Sequence, residues 1–221
     1  MTTILLARHG ESDWNHERRW QGHADRPLTK LGEEQARALA ERLADIRLDA
    51  VYSSDLLRAR ATAETVARPR GFQVRAVPDL REVDVGSWSG LTRDEARDRF
   101  PTDFARWLDG GPGWRDGESY EAMCERVLGA VATIVAEHPD GRVLLVAHGG
   151  PIRAIHAAAL GMDVHAYRRL RPVEPNARLS AVCTEDGQLT RLCPAAEIPD
   201  LVAEEERRRD EAAARPPTPA G

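Results

Sequence analysis

Cysteine is scarce in this sequence, and its positions exclude two common kinds of stabilisation. The three cysteines, Cys124, Cys183 and Cys193, lie far apart and form no C-x-x-C pair. Neither a disulfide framework nor a structural zinc site is therefore indicated. We expect all three to be reduced and structural.

Long apolar runs are also missing. No stretch approaches the roughly 18 to 20 uninterrupted apolar residues that a membrane span needs. The N-terminus passes straight into a strand-like segment, without the charged and apolar regions of a signal peptide. These absences predict a cytoplasmic protein with no membrane partner.

An excess of positive charge is the third absence. The formal net charge is -5 at pH 7, which gives no global electrostatic reason to bind nucleic acid or an anionic surface. We therefore expect no nucleic-acid partner. Any anion-binding site must be built locally.

What the chain does contain is an alternation of strand-like and helix-like segments. At 221 residues it is long enough for one sizeable domain with a full core. Helical periodicity separates most of the β-rich runs, which predicts an α/β fold, a three-layer α/β/α sandwich with a mostly parallel sheet. The β-rich runs are Thr3 to Ala7, Ala50 to Ser53, Gln73 to Val77, Arg142 to Ala147 and Leu179 to Thr184.

Capping residues and apolar spacing place the main helices. Thr29 is the expected N-cap of an amphipathic helix that ends at Asp45. Ser119 is the expected N-cap of a second helix, which ends at His138. A third helix, Leu56 to Ala67, follows the N-cap candidates Ser53-Ser54-Asp55.

The remaining segments have weaker patterns. Short helical pieces and glycine turns between about residues 87 and 117 predict a lid insertion that covers a cleft. Glu185-Asp186-Gly187 predicts a hairpin at the sheet edge, where a strand could pair in a homodimer. The predicted domain spans 1–196, and 197–221 is read as a charged, solvated helix with a Pro-rich tail.

Four short motifs carry the residues that point to chemistry. They are Arg8-His9-Gly10-Glu11, Ser53-Ser54-Asp55-Leu56-x-Arg58-Ala59, Leu80-x-Glu82-x-x-x-Gly86-x-Trp88 and Ala147-His148-Gly149-Gly150. Three of the four lie at the ends of predicted strands, where α/β proteins place their sites. Together the motifs resemble the histidine phosphatase superfamily, the phosphoglycerate mutase-like enzymes, over about residues 1 to 195. The resemblance implies a phosphoglycerate mutase-like fold.

The residue types in these motifs suit a phosphate monoester. Such an ester is a dianion, so a nucleophile reaches phosphorus only after positioned donors neutralise its oxygens. Arg8, Arg58 and His148 are suitable donors. A neutral imidazole is nucleophilic near pH 7, so His9 is the expected nucleophile and a phosphohistidine the expected intermediate. Glu82 matches the superfamily's acid/base position, which implies that it protonates the leaving alkoxide.

Other positions are implied as ligand contacts. The resemblance implies phosphate contacts from Asn15 and from the Gln21-Gly22 turn. Gly149 permits close backbone approach where a predicted helix begins, which favours an anion. Arg18 and Arg19 lie near the predicted site and could recognise a second acidic group.

These assignments predict a metal-independent phosphomonoester hydrolase of the histidine acid phosphatase type, with no cofactor and a small phosphorylated metabolite as its partner. The segment Gly86 to Thr92 looks like the phosphatase branch of the superfamily. Glycolytic mutases of the superfamily carry adjacent lid arginines, whereas the lid here has none adjacent. The alternatives are phosphoglycerate mutase-type phosphoryl transfer and a non-catalytic protein that binds phosphorylated ligands. The lid arginines are Arg93, Arg97, Arg99, Arg106 and Arg115.

Overall fold

The computed structural model describes residues 1–111 and 113–213. Within this part of the chain the strands are β1 Thr3–Arg8, β2 Ala50–Ser53, β3 Val74–Ala76, β4 Arg142–Ala147, β5 Leu179–Glu185 and β6 Gln188–Pro194. They form one sheet in the order β3-β2-β4-β1-β5-β6. The first four run parallel, and β5 and β6 join by antiparallel pairing. The prediction of a mostly parallel sheet is confirmed.

Helices cover both faces of this sheet. Those that pack on one face are α2, α3 and α9, and those on the other face are α4 to α8. The bounds are α1 Asp13–His16, α2 Lys30–Arg42, α3 Leu57–Ala67, α4 Arg93–Arg99, α5 Pro101–Leu108, α6 Tyr120–Glu137, α7 Gly149–Ala159, α8 Val164–Leu170 and α9 Ile198–Ala213. The three-layer arrangement agrees with the sequence prediction.

The alternation of side chains along β1 shows how the sheet holds the layers together. Leu5 and Ala7 point to the face covered by α2, α3 and α9, and Ile4 and Leu6 point to the opposite face. All four are completely buried. Each of the larger side chains contributes about 1.5–3 kcal/mol of burial energy. β1 is thereby fixed at the centre of both cores, immediately before the Arg8-His9 pair.

Three helix starts were predicted from capping residues, with different outcomes. Ser119 does cap α6, because its hydroxyl accepts from the Ala122 N–H, and the helix ends at Glu137 rather than His138. Thr29 does cap α2, because its hydroxyl accepts from the Gly32 N–H, but the helix ends at Arg42 rather than Asp45. For α3 the predicted caps Ser53, Ser54 and Asp55 are wrong. The N-cap residue is Leu56, whose side chain cannot accept a hydrogen bond from the helix. Asp25, far away in sequence, accepts the Leu57 N–H at 2.6 Å instead. A tertiary contact has replaced the local cap.

The hairpin is confirmed at the edge of the sheet. β5 and β6 are joined through Asp186 and Gly187, whose φ angles are 50° and 77°. Positive φ at both central residues is the requirement of the turn type that matches strand twist. β6 is the edge strand at this side of the sheet.

The C-terminal helix corrects one expectation. The sequence predicts that the charged helix after residue 197 is solvated, but α9 buries Ile198, Leu201 and Val202 against the sheet. Glu205 is also buried and pairs with the fully buried Arg142 at 2.5 Å. The Pro-rich stretch over 216–219 lies outside the described residues. Across the described ranges, no helix is both long and apolar enough to cross a membrane.

The lid insertion is attached by aromatic rings. It starts at a single turn of 3-10 helix, Gly86–Trp88, and continues through α4 and α5. Trp88 is fully buried and stacks on Phe104 with 5.9 Å between ring centroids. Trp20, on the loop after α1, lies 5.5 Å from Trp88 and 5.2 Å from Trp107. These rings and Trp114, here called the aromatic cluster, pack the insertion against the body of the protein.

Candidate active site

The two motif histidines meet at one edge of the sheet. β4 lies directly beside β1, and both run in the same direction, so the residues that follow them emerge side by side. The imidazole centroids of His9 and His148 are 5.1 Å apart. The backbone N–H of His9 donates to the backbone carbonyl of Ala147 at 3.0 Å, which extends the pairing of β1 with β4 into the site. Residues that are distant in sequence thus share one location.

A cavity of about 320 Å³ opens at this edge. Eight of the predicted site residues line it, and the ninth, His148, is fully buried beside His9. The eight are Arg8, His9, Asn15, Gln21, Gly22, Arg58, Glu82 and Gly149. The sequence motifs have therefore converged on one pocket.

His9 is held in a defined orientation. Its Nδ1 lies 2.7 Å from the carbonyl oxygen of Gly10, and because a carbonyl only accepts, we assign the proton to Nδ1. Nε2 is then left with a free lone pair. Burial, with the neighbouring charges of Arg58 and Arg8, holds the pKa of His9 well below its ordinary value of 6.5. The imidazole is therefore neutral near pH 7.

Two guanidinium groups flank His9. Arg58 donates to the carbonyls of Ala24 at 2.8 Å and Gly22 at 2.9 Å, and Arg8 donates to the carbonyl of Glu174 at 2.7 Å. Burial lowers the pKa of Arg58 to about 10, so the group remains charged at neutral pH. Among the described residues neither arginine forms an ion pair.

Several buried nitrogen atoms at this point have no hydrogen-bond partner among the described residues. The Nε atoms of Arg8 and Arg58 and both ring nitrogens of His148 are buried without a hydrogen-bond partner in the described part of the chain. Native proteins leave few such groups unsatisfied, and a cluster of them calls for an explanation. Burial and the charge of Arg58 also lower the pKa of His148 well below 6.5. An anion would accept hydrogen bonds from the two arginine Nε–H groups and from the protonated ring nitrogen of His148.

Glu82 also lines the pocket. Its Oε1 accepts from the backbone N–H groups of Val83 at 3.0 Å and Gly150 at 2.9 Å. Oε2 accepts no hydrogen bond from the described residues, and it lies beside Gly149. The carboxyl group is thus anchored through one oxygen and open through the other.

The loop that carries Glu82 is fixed by Arg126. This guanidinium donates to the carbonyls of Asp79, Arg81 and Glu82 at 2.7, 2.8 and 3.0 Å. Glu118 accepts two further bonds from it, both at 2.6 Å. Arg126 lies on α6, so a core helix sets the position of the Glu82 backbone.

The residues implied as further contacts are held by one another. Asn15 caps α1 together with Ser12, and its Oδ1 accepts from Asn176 Nδ2 at 3.2 Å. Gln21 Oε1 accepts from the Ser12 hydroxyl at 2.9 Å. Gly22 has φ of 51° and offers its carbonyl to Arg58. Its observed contact is therefore with Arg58.

Sequence reasoning missed part of the cavity wall. Trp20, Trp107, Tyr120, Val173 and Arg153 also line it. Arg153 lies one helical turn beyond Gly149, so its face on α7 could have been deduced from the helix that follows β4. The others come from segments whose position depends on tertiary packing.

Arg18 and Arg19 both line the cavity, but they differ in their partners. Arg19 is paired with Glu17 and Glu95, each at 2.8 Å, and donates to the Gly90 carbonyl. Its charge is therefore already neutralised. Arg18 has φ of 58°, a left-handed conformation that is uncommon for a residue other than glycine.

Comparison with known proteins agrees with this geometry. A model of the histidine phosphatase superfamily (branch 1) matches residues 4–193. Phosphoserine phosphatase 1 of Hydrogenobacter thermophilus is 35% identical over 169 residues, which are 76% of this chain and 80% of that protein. A probable phosphoglycerate mutase of Photorhabdus laumondii is 38% identical over 178 residues, with coverage of 77% and 80%.

Solved structures give the same result. A mycobacterial glucosyl-3-phosphoglycerate phosphatase superposes with a TM-score of 0.78 at 33% identity, over 87% of this chain and 97% of that one. The phosphoglycerate mutase-like fold is therefore confirmed. Because the family model spans most of the sequence, including both motif histidines, the chain belongs to the histidine phosphatase superfamily, branch 1.

Proposed function

We propose that this protein is a metal-independent phosphomonoester hydrolase that acts through a phosphohistidine at His9, on a small phosphorylated metabolite. The observation that carries the proposal is the neutral His9, with Nε2 free, between two arginines whose buried Nε atoms have no acceptor among the described residues. The family contains both phosphatases and mutases, and the phosphatase assignment rests on the residues described below.

The phosphoryl group would be bound by Arg8, Arg58 and His148. A phosphate dianion supplies acceptors for the buried Nε atoms and for a ring nitrogen of His148. The N-terminus of α7 adds the partial positive charge of a helix end. These groups neutralise the phosphoryl oxygens, which lowers the barrier to nucleophilic approach.

Two steps then account for hydrolysis. In the first, Nε2 of His9 forms a bond to phosphorus while the bond to the leaving oxygen breaks, and Glu82 in its acid form gives that oxygen a proton from Oε2. In the second, water gives a proton to Glu82 and its oxygen bonds to phosphorus as the N–P bond breaks. Inorganic phosphate leaves, and His9 and Glu82 return to their starting forms.

The pairing of three of the five lid arginines favours hydrolysis over return of the phosphoryl group to the substrate. Arg97 is paired with Asp94 and Asp98, and Arg106 and Arg115 are both paired with Asp103. The charges of these three arginines are therefore neutralised by carboxylates of the insertion itself. Phosphoglycerate mutase-type transfer remains the second candidate, because a relative bears that name.

A hydrolysis assay with 4-nitrophenyl phosphate tests the proposal. We expect turnover without added metal, resistance to EDTA, and loss of both turnover and acid-labile phosphohistidine in His9→Ala. His16→Ala is the matched control, since the His16 side chain is 77% exposed. No turnover between pH 5 and 8 would favour a non-catalytic binding protein, and an active His9→Ala enzyme would exclude His9 as the nucleophile.

A further inference from the structure

A third guanidinium, that of Arg153, lines the same cavity. Arg153 lies on α7 and donates through Nη2 to the carbonyl of Arg171 at 3.0 Å. Its Nε is buried without a partner, and Nη1 has no acceptor among the described residues. No carboxylate of the described residues pairs with it. A partly buried cation of the cavity wall thus forms no direct ion pair with a carboxylate of the described residues.

The surroundings make this position electrostatically costly. Burial lowers the pKa of Arg153, the charge of Arg168 lowers it further, and Glu82 acts in the opposite direction. Arg8 is close enough for its own pKa to be lowered by Arg153. Cations gathered away from water are tolerated where an anion binds among them.

The charges of the cavity wall indicate how many negative charges a bound substrate should carry. A phosphate dianion is neutralised by Arg8 and Arg58. Glu82 must hold the proton that the leaving group requires, so in the reacting complex it does not neutralise the third cation, Arg153. The charge of Arg153 is then available to one further negative group on the substrate.

The other arginines of the cavity do not fill this role. Arg19 is already paired with Glu17 and Glu95. Arg18 and Arg93 are exposed, and solvent screens the charge of an exposed group. Arg153 is therefore the cation of the cavity wall best placed to bind a second anionic group.

We propose that Arg153 binds a carboxylate of the substrate, so that the substrate class is the phosphate monoesters of small carboxylic acids. A single carboxylate supplies that further negative charge, and its planar oxygens suit a guanidinium. The cavity of about 320 Å³ suits a compact molecule. This inference rests on the proposed function, because it takes the phosphoryl group to lie between Arg8, Arg58 and His9.

A matched pair of esters tests the inference. 3-Phosphoglycerate and glycerol 3-phosphate differ only in a carboxylate against a hydroxymethyl group. We expect the native protein to favour 3-phosphoglycerate about tenfold or more in kcat/KM for phosphate release, the range of a charged hydrogen bond. In Arg153→Met this ratio should fall close to one, and in Arg42→Met, an exposed arginine on α2 outside the cavity, it should not change.

Direct binding separates this inference from the proposed hydrolysis. Calorimetric titration of the two esters into His9→Ala should show the same preference, and the double variant His9→Ala, Arg153→Met should lose it. A ratio near one in the native protein, or one that Arg153→Met leaves unchanged, would overturn the inference. An equal loss on both esters would overturn it as well, because Arg153 would then only hold the Arg171 segment. Binding preference without hydrolysis would support Arg153 while refuting the hydrolase.

Discussion

The contact between Gly150 and Glu82 gives a quantitative test of the acid/base assignment. A Cβ added at Gly150 would lie 2.8 Å from Met123 Sδ and closer still to Glu82 Oε1. Ordinary Cβ contacts begin at 3.4 Å, so in Gly150→Ala the carboxyl group must move by about 1 Å. Both obstructing atoms lie at the ends of flexible side chains, so the protein can fold around the change. When the Glu82 carboxyl group moves away from the new Cβ, its Oε2 atom is displaced as well.

The expected cost is kinetic. A displacement of about 1 Å costs about 100-fold in rate, which is about 2.7 kcal/mol of activation free energy. The full effect applies to alkyl phosphates, whose leaving alkoxide needs a proton. 4-Nitrophenolate leaves with little protonation, so the loss on its ester should be about tenfold or less.

The assay compares kcat/KM on these two kinds of ester, because kcat/KM covers only the steps up to departure of the alcohol. Gly129→Ala is the control, since a Cβ at that helical position meets nothing within 4 Å. It should leave kcat/KM unchanged and stabilise α6 by up to about 1 kcal/mol. If Gly150→Ala loses activity equally on both esters, or loses none, Glu82 is not the proton donor in the position described.

Two predictions concern stability. His156 is buried, and burial lowers its pKa from 6.5 to about 4. Below pH 6.5 the unfolded chain therefore binds a proton that the folded protein does not, and this group should remove about 2.4 kcal/mol of unfolding free energy between pH 7 and pH 4.5. Urea denaturation at the two pH values should show a smaller decrease for His156→Gln, and an equal decrease would show that another group dominates. Glu205→Ala leaves Arg142, which is 0% exposed, without its closest partner, at an expected cost of about 3 kcal/mol. Glu204→Ala, which removes a more exposed pair, should cost less than about 1 kcal/mol, and similar losses in both variants would contradict a special role for the buried pair.

Local pattern was sufficient for the parts of the fold that local physics controls. Apolar runs identified β1 and β4, whose burial on both faces follows from their central position. Because neighbouring parallel strands end at one edge of a sheet, the sequence alone predicts that His9 and His148 lie close together. Glu82 was different, since it lies in a loop and was identified through the family motif.

What the sequence could not supply depends on contacts between distant segments. Asp25 caps α3 from a loop that has no periodicity of its own. Helix α9 is mostly charged, but Ile198, Leu201 and Val202 form an apolar stripe on one side of it. This stripe is buried because the helix packs on the sheet, a contact that the local sequence does not indicate. Arg153 has the pattern of an ordinary helix residue, and its importance comes from its place in the cavity wall without an ion-pair partner among the described residues.

The aromatic cluster has a practical consequence for experiments. It contains four of the five tryptophans, Trp20, Trp88, Trp107 and Trp114, and two of these form part of the cavity wall. Indole emission responds to the polarity of its surroundings, and rings 5.2 to 6.3 Å apart exchange excitation. A ligand that replaces water in the cavity therefore changes the fluorescence of most of the protein's emitters at once. The unlabelled protein carries its own optical sensor of occupancy.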